Sequence, residues 1–377
     1  MTTLTINTQR LLEAFLAMVR INSPSGEEDE MRTWLVGQMN SLKLSHHTDK
    51  GGNLIVDVPA HQCQHNAILV LSGHMDVVPP CLNIKPIVEE ADGDKIISSD
   101  NTTVLGADDK AGLAPILEAV QVVLEQGLPR PALRLIFTTR EETKLGGAQD
   151  LEDADLKANF ALIFDHTGKQ GVIINEAPTY IEFVAECFGK SVHAGIMPEA
   201  GVNAIQYASR VINRLHLGRI DEDTTANIGF FDGGKATNVV PDLATIRGEI
   251  RSHNQATLDC ELAHIETVLK EEKEKLPGTD FTFKTAVAFE HYKVDESLPA
   301  VKLVWQSAEK AGLTPQFIRT NGGSDNNIFA KRGLPGVVLS AGFIEPHSLK
   351  ERVKLSEMET CTRFILTMLE EFSKNEF

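Results

Sequence analysis

Short, unbroken runs of apolar residues recur in the first half of the chain and alternate with stretches whose apolar residues have helical spacing. The predicted strands are NLIVDV (53–58), AILVLS (67–72), LRLIFTT (133–139) and FALIFD (160–165). Helical spacing is found in the N-terminal 21 residues, at 27–42 and at 110–126. Unbroken apolar strands that alternate with helices are typical of a mostly parallel sheet with helices on both faces. The pattern therefore predicts an α/β fold.

The pattern changes near residue 177 and changes back near residue 292. The segment TYIEFVAECF (179–188) has apolar residues at every second position, which is typical of a sheet with one solvated face. The segments after it predict a helix, two strands, a helix and a strand, at about 202–215, 224–231, 243–252, 256–275 and 280–292. The order β-α-β-β-α-β is that of a ferredoxin-like unit. We therefore expect a ferredoxin-like domain at 177–291, inserted into an α/β domain formed by 1–176 and 292–377.

The composition is that of an ordinary globular protein, with a strong excess of acidic residues. Of the 377 residues, 42% are hydrophobic and 24% are charged, and the formal net charge is −17. Such a negative field repels nucleic acids and anionic membranes, so neither is expected as a partner. The charge also suits a protein in which carboxylates cluster around a metal.

The N-terminal 21 residues predict an amphipathic helix with Leu12, Phe15, Leu16 and Val19 on one stripe, and they lack the features of a signal peptide. No apolar run approaches the roughly 20 residues that span a bilayer. The five cysteines are scattered and never spaced as CxxC, which argues against a disulfide framework and against a thiolate zinc site. These features predict a cytoplasmic protein.

Polar side chains follow the ends of four predicted buried strands. His74 and Asp76 follow the strand at 67–72, Glu141 and Glu142 follow 133–139, and Asp165 ends 160–165. His347 follows a further buried strand, GVVLSAG (336–342). Because the carboxyl ends of the strands form the crevice in which α/β proteins bind ligands, we expect these side chains to converge. A fifth segment, LGADDKAG, places Asp108 and Asp109 at the start of the helix at 110–126, where helix capping is an alternative role.

A cluster of carboxylates needs a cation to offset its charge. Imidazole and carboxylate ligands without a thiolate suit zinc, and they also suit cobalt or manganese. Five or six candidates exceed what one tetrahedral catalytic zinc requires, so we expect two ions about 3.5–4 Å apart that share a carboxylate. Taken singly, His74 fits a core histidine bonded to Asp76, and Asp165 fits a turn residue. Their joint position at strand ends favours the two-metal interpretation.

Glu141 and Glu142 lie side by side in TTREETKLGG, at the end of the strand predicted at 133–139. Adjacent carboxylates raise each other's pKa unless a cation lies near them. Because neighbouring side chains at a strand end point in different directions, one can face the metals and the other the substrate. We predict that Glu142 binds metal and that Glu141 is the general base, which moves a proton from water to the leaving amine. Taken alone, the pair also fits a solvated loop.

A series of motifs runs through nearly the whole chain in a fixed order. They are SGHMDVVPP, LGADDKAG, TTREETKLGG, FDHTG, KSVHAG, GGKATNVVPD and GGSDNN, followed by EPHS. The series resembles the co-catalytic zinc exopeptidases, a family that includes peptidase T, carboxypeptidase G and succinyl-diaminopimelate desuccinylase. The resemblance implies a phosphorylase/hydrolase-like catalytic domain, a ferredoxin-like lid that also serves dimerisation, and a homodimer.

The resemblance also implies a role for each candidate residue. It implies two zinc sites that share one ligand: His74, Asp108 and Asp165, and Asp108, Glu142 and His347. Asp108 rather than Asp109 is the bridge, because the family pattern places the bridging residue two before the lysine, here Lys110. Glu141 is the general base. Asp76 is the second candidate catalytic residue, which holds the other ring nitrogen of His74 and so fixes its tautomer.

Three residues of the inserted domain are candidates for substrate binding. His193 in KSVHAG resembles the family histidine that reaches the substrate carbonyl, where it would stabilise the oxygen in the transition state. Arg251 can bind a substrate carboxylate with its guanidinium fork, and Asn238 resembles a family position that lines the site. The structural alternatives are a loop histidine, a strand-end salt bridge and a turn residue, respectively.

The identity of the third carboxylate bears on the substrate. In the family, an aspartate at the position of Asp165 accompanies aminopeptidases, and a glutamate accompanies carboxypeptidases and deacylases. LGADDKAG and FDHTG resemble the peptidase T branch most. The resemblance therefore implies a di-zinc aminopeptidase that releases the N-terminal residue of short peptides, with tripeptides favoured. The connection from Asp76 to Asp108 is shorter than in peptidase T, so a strict tripeptide preference does not follow.

Two alternatives stay open at the level of the sequence. One is a zinc-dependent N-acyl-amino-acid deacylase or carboxypeptidase, which shares the chemistry but does not need a free substrate amine. The other is a non-catalytic protein that binds peptides or other partners. Degenerate family members usually lose a ligand or the base, and this chain keeps all of them.

Overall fold

The computed structural model describes residues 5–377, which form two compact units. The first unit extends to Glu176 and resumes at Tyr292–Thr320 and Ser324–Phe377, and the second consists of Ala177–His291 and Asn321–Gly323. Among the described helices, none is long and apolar enough to cross a membrane.

The elements have the following bounds. The helices are α1 (Thr8–Arg20), α2 (Asp29–Ser41), α3 (Ala107–Glu125), α4 (Gly146–Asp150), α5 (Ala204–Ile212), α6 (Gln255–Lys275), α7 (Pro299–Lys310), α8 (Asp325–Lys331) and α9 (Leu355–Lys374). The strands are β1 (Ser45–Thr48), β2 (Leu54–Val58), β3 (Ile68–His74), β4 (Ile87–Ala91), β5 (Asp94–Ser98), β6 (Ala132–Thr138), β7 (Phe160–His166), β8 (Val172–Ala177), β9 (Thr179–Phe188), β10 (Gly218–Arg219), β11 (Thr224–Gly233), β12 (Leu243–Ser252), β13 (Asp280–Phe289), β14 (Tyr292–Lys293), β15 (Gln316–Arg319), β16 (Gly336–Ser340), β17 (Phe343–Ile344) and β18 (Arg352–Lys354).

The main sheet of the first unit has a parallel centre. Its strand order is β1-β2-β6-β3-β7-β16-β8-β14, with β15 also paired to β8. The neighbours β6, β3, β7 and β16 are parallel, as is the β15–β8 pair. The α/β prediction is therefore confirmed, although the apolar run at 53–58 forms an antiparallel strand, β2. Burial, rather than direction, explains its apolar sequence, because Leu54, Ile55 and Val56 are inaccessible and only the polar Asp57 is exposed.

The N-terminal helix matches the predicted stripe over most of its length. In α1, Leu12, Phe15 and Val19 are buried and Leu16 is half-buried. The first four residues of the predicted helical stretch lie outside the described residues. The first unit also contains a small antiparallel sheet, β17-β18-β5-β4, which the sequence did not indicate. Its strand β4 is exposed throughout, so it lacks the apolar alternation that would have revealed it.

The second unit has the predicted order of elements. Its sheet runs β10-β11-β12-β9-β13, and neighbouring strands are antiparallel. Burial along β9 alternates at every residue, as the period of two predicts. Helices α5 and α6 supply Tyr207, Leu258 and Val268 to a core shared with the sheet residues Phe183 and Ile246. The ferredoxin-like prediction is confirmed by this arrangement.

Candidate metal centre

The parallel strands of the first unit bring the predicted ligands to one edge of the sheet. His74 is the last residue of β3, Asp165 lies at the end of β7, and Glu141 and Glu142 follow β6. Because β3 pairs with β6 and with β7 in parallel, these three strand ends are neighbours. His347 joins them from the loop between β17 and β18.

Two groups of three ligand-capable side chains share Asp108. In each group, His74–Asp108–Asp165 and Asp108–Glu142–His347, one ligand atom per residue lies within 4.8 Å of the others. His74 Nε2 is 3.1 Å from Asp108 Oδ1 and 3.6 Å from Asp165 Oδ1. His347 Nε2 is 2.8 Å from Glu142 Oε1 and 3.3 Å from Asp108 Oδ2. The two oxygens of Asp108 therefore face different histidines, which is the geometry of a bridging carboxylate.

The side chains of Glu141 and Glu142 point in different directions, although Asp76 binds the backbone of both residues. Their backbone N–H groups donate to the two oxygens of Asp76, at 2.9 and 3.1 Å. The Glu142 carboxylate turns to His347, whereas the buried Glu141 carboxylate has no hydrogen-bond partner among the described residues. A Glu141 oxygen lies within 4.8 Å of ligand atoms of His74 and Glu142. The pair thus has one member bonded to a candidate ligand and one member free.

Asp76 makes contacts beyond the one with His74 that the sequence predicted. The contact of its carboxylate with His74 Nδ1 is 3.4 Å long, and the shorter contact of that nitrogen, 3.1 Å, is with the Asp76 carbonyl oxygen. The carboxylate accepts instead from Ser25 Oγ at 2.6 Å and from the two glutamate amides. Asp76 therefore fixes the backbone of Glu141 and Glu142 as well as facing the histidine.

The pKa values of the clustered side chains are shifted, because several carboxylates lie close together in a buried place. Burial raises the pKa of Asp165 to about 8, and burial together with the charge of Asp165 raises the pKa of Glu141 well above its usual range. Burial alone would lower the pKa of His74, but hydrogen bonds with Asp108, Asp165 and Asp76 raise it well above its usual value. Hydrogen bonds to Asp108 and Glu142 raise the pKa of His347 to about 10. In this arrangement, protons supply positive charge that a metal would supply when bound.

The donor set fits two divalent cations. Over residues 5–377, no lysine or arginine forms an ion pair with Asp76, Asp108, Glu141, Glu142 or Asp165, so only the two histidines can offset these charges at close range. Two imidazoles and three carboxylates are ligands that zinc, cobalt and manganese accept. The residues present therefore suit a dinuclear metal centre, and metal use agrees with the ligand groups that the fold assembles.

Three buried acidic residues around the cluster were not assigned from the sequence. The Asp109 carboxylate accepts from the backbone N–H of His74 at 3.2 Å, rather than capping α3. Asp325, in GGSDNN, accepts from Thr138 Oγ1, and burial raises its pKa to about 6. Glu351 accepts from the backbone of Asp108 at 2.8 Å. The motif GGSDNN was a signal for Asp325, but Glu351 lies between Lys350 and Arg352 in a segment that looks like a solvated surface.

The three candidates of the second unit lie on its loops and at a strand end. His193 and Asn238 belong to adjacent loops, because the Ala194 N–H donates to the Asn238 carbonyl at 2.9 Å. Both side chains are exposed. Arg251 forms an ion pair with Glu249 at 3.2 Å, and its guanidinium lies 4.3 Å from the centre of the Tyr180 ring. These contacts are those expected of a strand-end salt bridge, and the substrate role of Arg251 stays a prediction.

Known proteins resemble this chain over nearly its whole length. A model of a peptidase dimerisation domain matches residues 175–277, and one of peptidase family M28 matches residues 53–192. A tripeptidase from Staphylococcus aureus has 35% identity and a TM-score of 0.92, covering 98% of this chain and 99% of that chain. The aminopeptidase PepT from Bacillus cereus has 34% identity and a TM-score of 0.88, covering 98% and 100%. A dinuclear metal-binding M20 peptidase from Bacillus subtilis has the same fold, with 14% identity, a TM-score of 0.74 and coverage of 96% and 97%.

Proposed function

Because this chain belongs to the peptidase T-like branch of the M20 peptidases, which are metal-dependent exopeptidases, we propose that it is a di-zinc aminopeptidase. The proposed reaction is release of the N-terminal residue from short peptides. The observation that carries the proposal is the pair of distances, 3.1 and 3.3 Å, by which the two oxygens of Asp108 face different histidines. A single-metal site has no need for a carboxylate shared in this way.

The proposed roles follow from what each side chain contacts. His74, Asp108 and Asp165 would hold one ion, and Asp108, Glu142 and His347 the other. When bound, such ions lower the pKa of a water molecule toward 7 and polarise the substrate carbonyl. Glu141 is the proposed general base, since its carboxylate is buried, adjacent to the ligands and free of a hydrogen-bond partner among the described residues. It would accept the proton of the attacking water and transfer it to the departing amine.

The substrate proposal depends on Asp165 and on the relatives. An aspartate at this position accompanies aminopeptidases in the family, and the two most similar solved structures described above are a tripeptidase and an aminopeptidase. These observations support free short peptides over N-acyl amino acids. We propose that tripeptides are favoured.

A homodimer formed through the second unit is part of the proposal. The match to a peptidase dimerisation domain falls on this unit. On β11, the short strand β10 pairs only with Thr225 and Ala226, while Phe230, farther along β11, is 64% exposed. An open strand edge with exposed aromatic side chains suits pairing with a second copy. All five cysteines are free, which supports the proposed cytoplasmic location.

Hydrolysis of a short substrate series tests the function. Metal-free protein is reconstituted with zinc, cobalt or manganese and incubated with dialanine, trialanine, tetraalanine and N-acetyl-trialanine, with and without a chelator. We expect loss of the N-terminal residue from free peptides, fastest for trialanine, with the acetylated peptide resistant and the chelator inhibitory. Cleavage of the acetylated substrate alone would favour the deacylase instead, and metal binding without any turnover would favour the non-catalytic alternative.

A further inference from the structure

One loop of the first unit holds Asp108 at two points. The loop comprises residues 345–351 and connects β17 with β18. Its His347 lies 3.3 Å from the Asp108 carboxylate, measured from Nε2 to Oδ2. Its Glu351 carboxylate accepts a hydrogen bond of 2.8 Å from the Asp108 backbone N–H. The side chain and the backbone of the bridging residue are therefore both contacted from the same loop.

The Glu351 carboxylate accepts hydrogen bonds from three backbone N–H groups in the segment that leads to Asp108. Besides the bond from Asp108, Oε2 accepts from the N–H groups of Leu105 and Gly106, at 2.7 and 2.8 Å. The side chain is almost inaccessible, with 1% of the residue exposed. Among the described residues, it forms no ion pair with a lysine or arginine. Backbone N–H groups thus provide its hydrogen bonds.

The segment at 105–109 needs an external support because regular helix geometry does not fix it. Asp108 has φ −80° and ψ 101°, which is outside the helical region, although α3 extends around it. Gly106 precedes α3 with φ 73° and has no side chain that could cap the helix. A larger capping residue is disfavoured at Gly106, because it would need a positive φ and its Cβ would come within 3.1 Å of the Val77 side chain. Glu351 supplies the missing acceptors from a position 245 residues away from Gly106.

Glu351 is itself held in place. Its backbone N–H donates to the Ser348 carbonyl at 3.1 Å, one residue after His347. The next residue begins β18, which pairs with β5 and with β17. The spacing between the His347 ring and the Glu351 carboxylate is therefore set by a turn and a small sheet.

We propose that Glu351 is a positioning residue, which sets the separation between Asp108 and His347 and thereby controls the ion bound by Asp108, Glu142 and His347. The inference rests on the two-metal site proposed above. The ion at His74, Asp108 and Asp165 depends less on Glu351, because His74 and Asp165 stand on β3 and β7, which pair directly.

Metal titration of the metal-free protein tests this role. Glu351→Gln keeps the size of the side chain but turns an NH2 group toward backbone donors, and Glu351→Asp keeps the charge but shortens the reach. The matched control is Asp94→Asn, which removes a carboxylate from the same small sheet, where it accepts from Ser356. Calorimetric titration with Zn²⁺ or Mn²⁺ should give two ions for the wild type and the control. For both Glu351 variants, we expect one ion with nearly unchanged affinity and a second that binds at least about tenfold more weakly.

Equal weakening of both ions in the Glu351 variants would reveal a general structural role and overturn the inference, as would two unchanged binding constants. A wild type that binds fewer than two ions would instead overturn the metal-centre proposal. Hydrogen exchange on the metal-free wild type needs no variant. The amides of Leu105, Gly106 and Asp108 should exchange slowly if Glu351 holds them, and fast exchange of all three would contradict the inference even if the variants do not fold.

Discussion

The two units of the molecule present their candidate functional residues in different ways. In the first unit, parallel strands and two loops deliver side chains to one place, where all but the exposed His347 are buried or half-buried and most are in contact with each other. In the second unit, His193 and Asn238 lie exposed on loops of an antiparallel sheet, and Arg251 is engaged with Glu249. In the first unit, the contacts among the side chains identify the candidate metal centre without a substrate. In the second unit, the proposed roles of His193, Asn238 and Arg251 depend on contacts with a substrate.

The largest effect is expected at Glu141 of the first unit. Replacing Glu141 with Gln removes the group proposed to accept and return a proton, so kcat should fall by about 10²–10⁴-fold. Metal content should stay at the wild-type value, because Glu142 and not Glu141 is the proposed ligand. Kinetics with trialanine and metal analysis of the same sample check both statements. Glu152→Gln, at an exposed position, is the charge-matched control and should be active. Full activity of Glu141→Gln would refute the assignment of the base.

The second-largest effect is expected at His193 of the second unit. His193→Ala should lower kcat by about 10²-fold if this histidine stabilises the developing oxyanion. The melting temperature should not change, because the side chain is exposed. His216→Ala is the control, since that histidine bonds to Glu261 at 3.0 Å and stacks on His264. The opposite pattern, with His216 affecting turnover and His193 affecting only stability, would contradict the proposal.

Metal binding in the first unit should depend on pH. Without metal, Asp165 with a pKa of about 8 and His347 with a pKa of about 10 hold protons at pH 7. Ligands must lose these protons when they bind metal, so affinity should rise by at least about tenfold per pH unit as pH increases toward 8. Calorimetry in buffers of different ionisation enthalpy measures the protons released. Asp165→Asn should release fewer protons, and binding without proton release would contradict this prediction.

The smallest effect is expected in the core of the second unit. Tyr207 is buried, and its Oη donates to the Leu269 carbonyl at 2.6 Å. Tyr207→Phe removes this bond and should lower the free energy of unfolding by about 1 kcal/mol. Metal affinity should be unchanged, as thermal unfolding and titration of one preparation can show. Tyr180→Phe, at a half-buried position bonded to Glu182, should have a smaller effect. A loss of metal binding in Tyr207→Phe would contradict the expectation that the core of the second unit does not affect the metal centre.

Much of this architecture could be predicted because local patterns reflect burial. The strands that carry His74 and Asp165 are apolar runs because both faces of the central sheet are covered, and β9 alternates because one of its faces is not. The sheet β17-β18-β5-β4 could not be predicted, because its short strands are partly exposed and carry mixed residues. The prediction for Asp76 covered only its contact with His74. Its carboxylate also accepts from the amides of Glu141 and Glu142, which come close to Asp76 only in the folded chain.

The sequence by itself determined the α/β class, the ferredoxin-like order of elements and the residue types that gather at the strand ends. These properties depend on periodicity and on the rule that parallel strands end at one edge. Only the tertiary structure decided which oxygen of Asp108 faces which histidine, and that Glu351 holds the Asp108 backbone from more than 240 residues away. The reason is physical: a hydrogen bond between distant segments depends on ångström-scale positions, which no local pattern of hydrophobic and polar residues encodes.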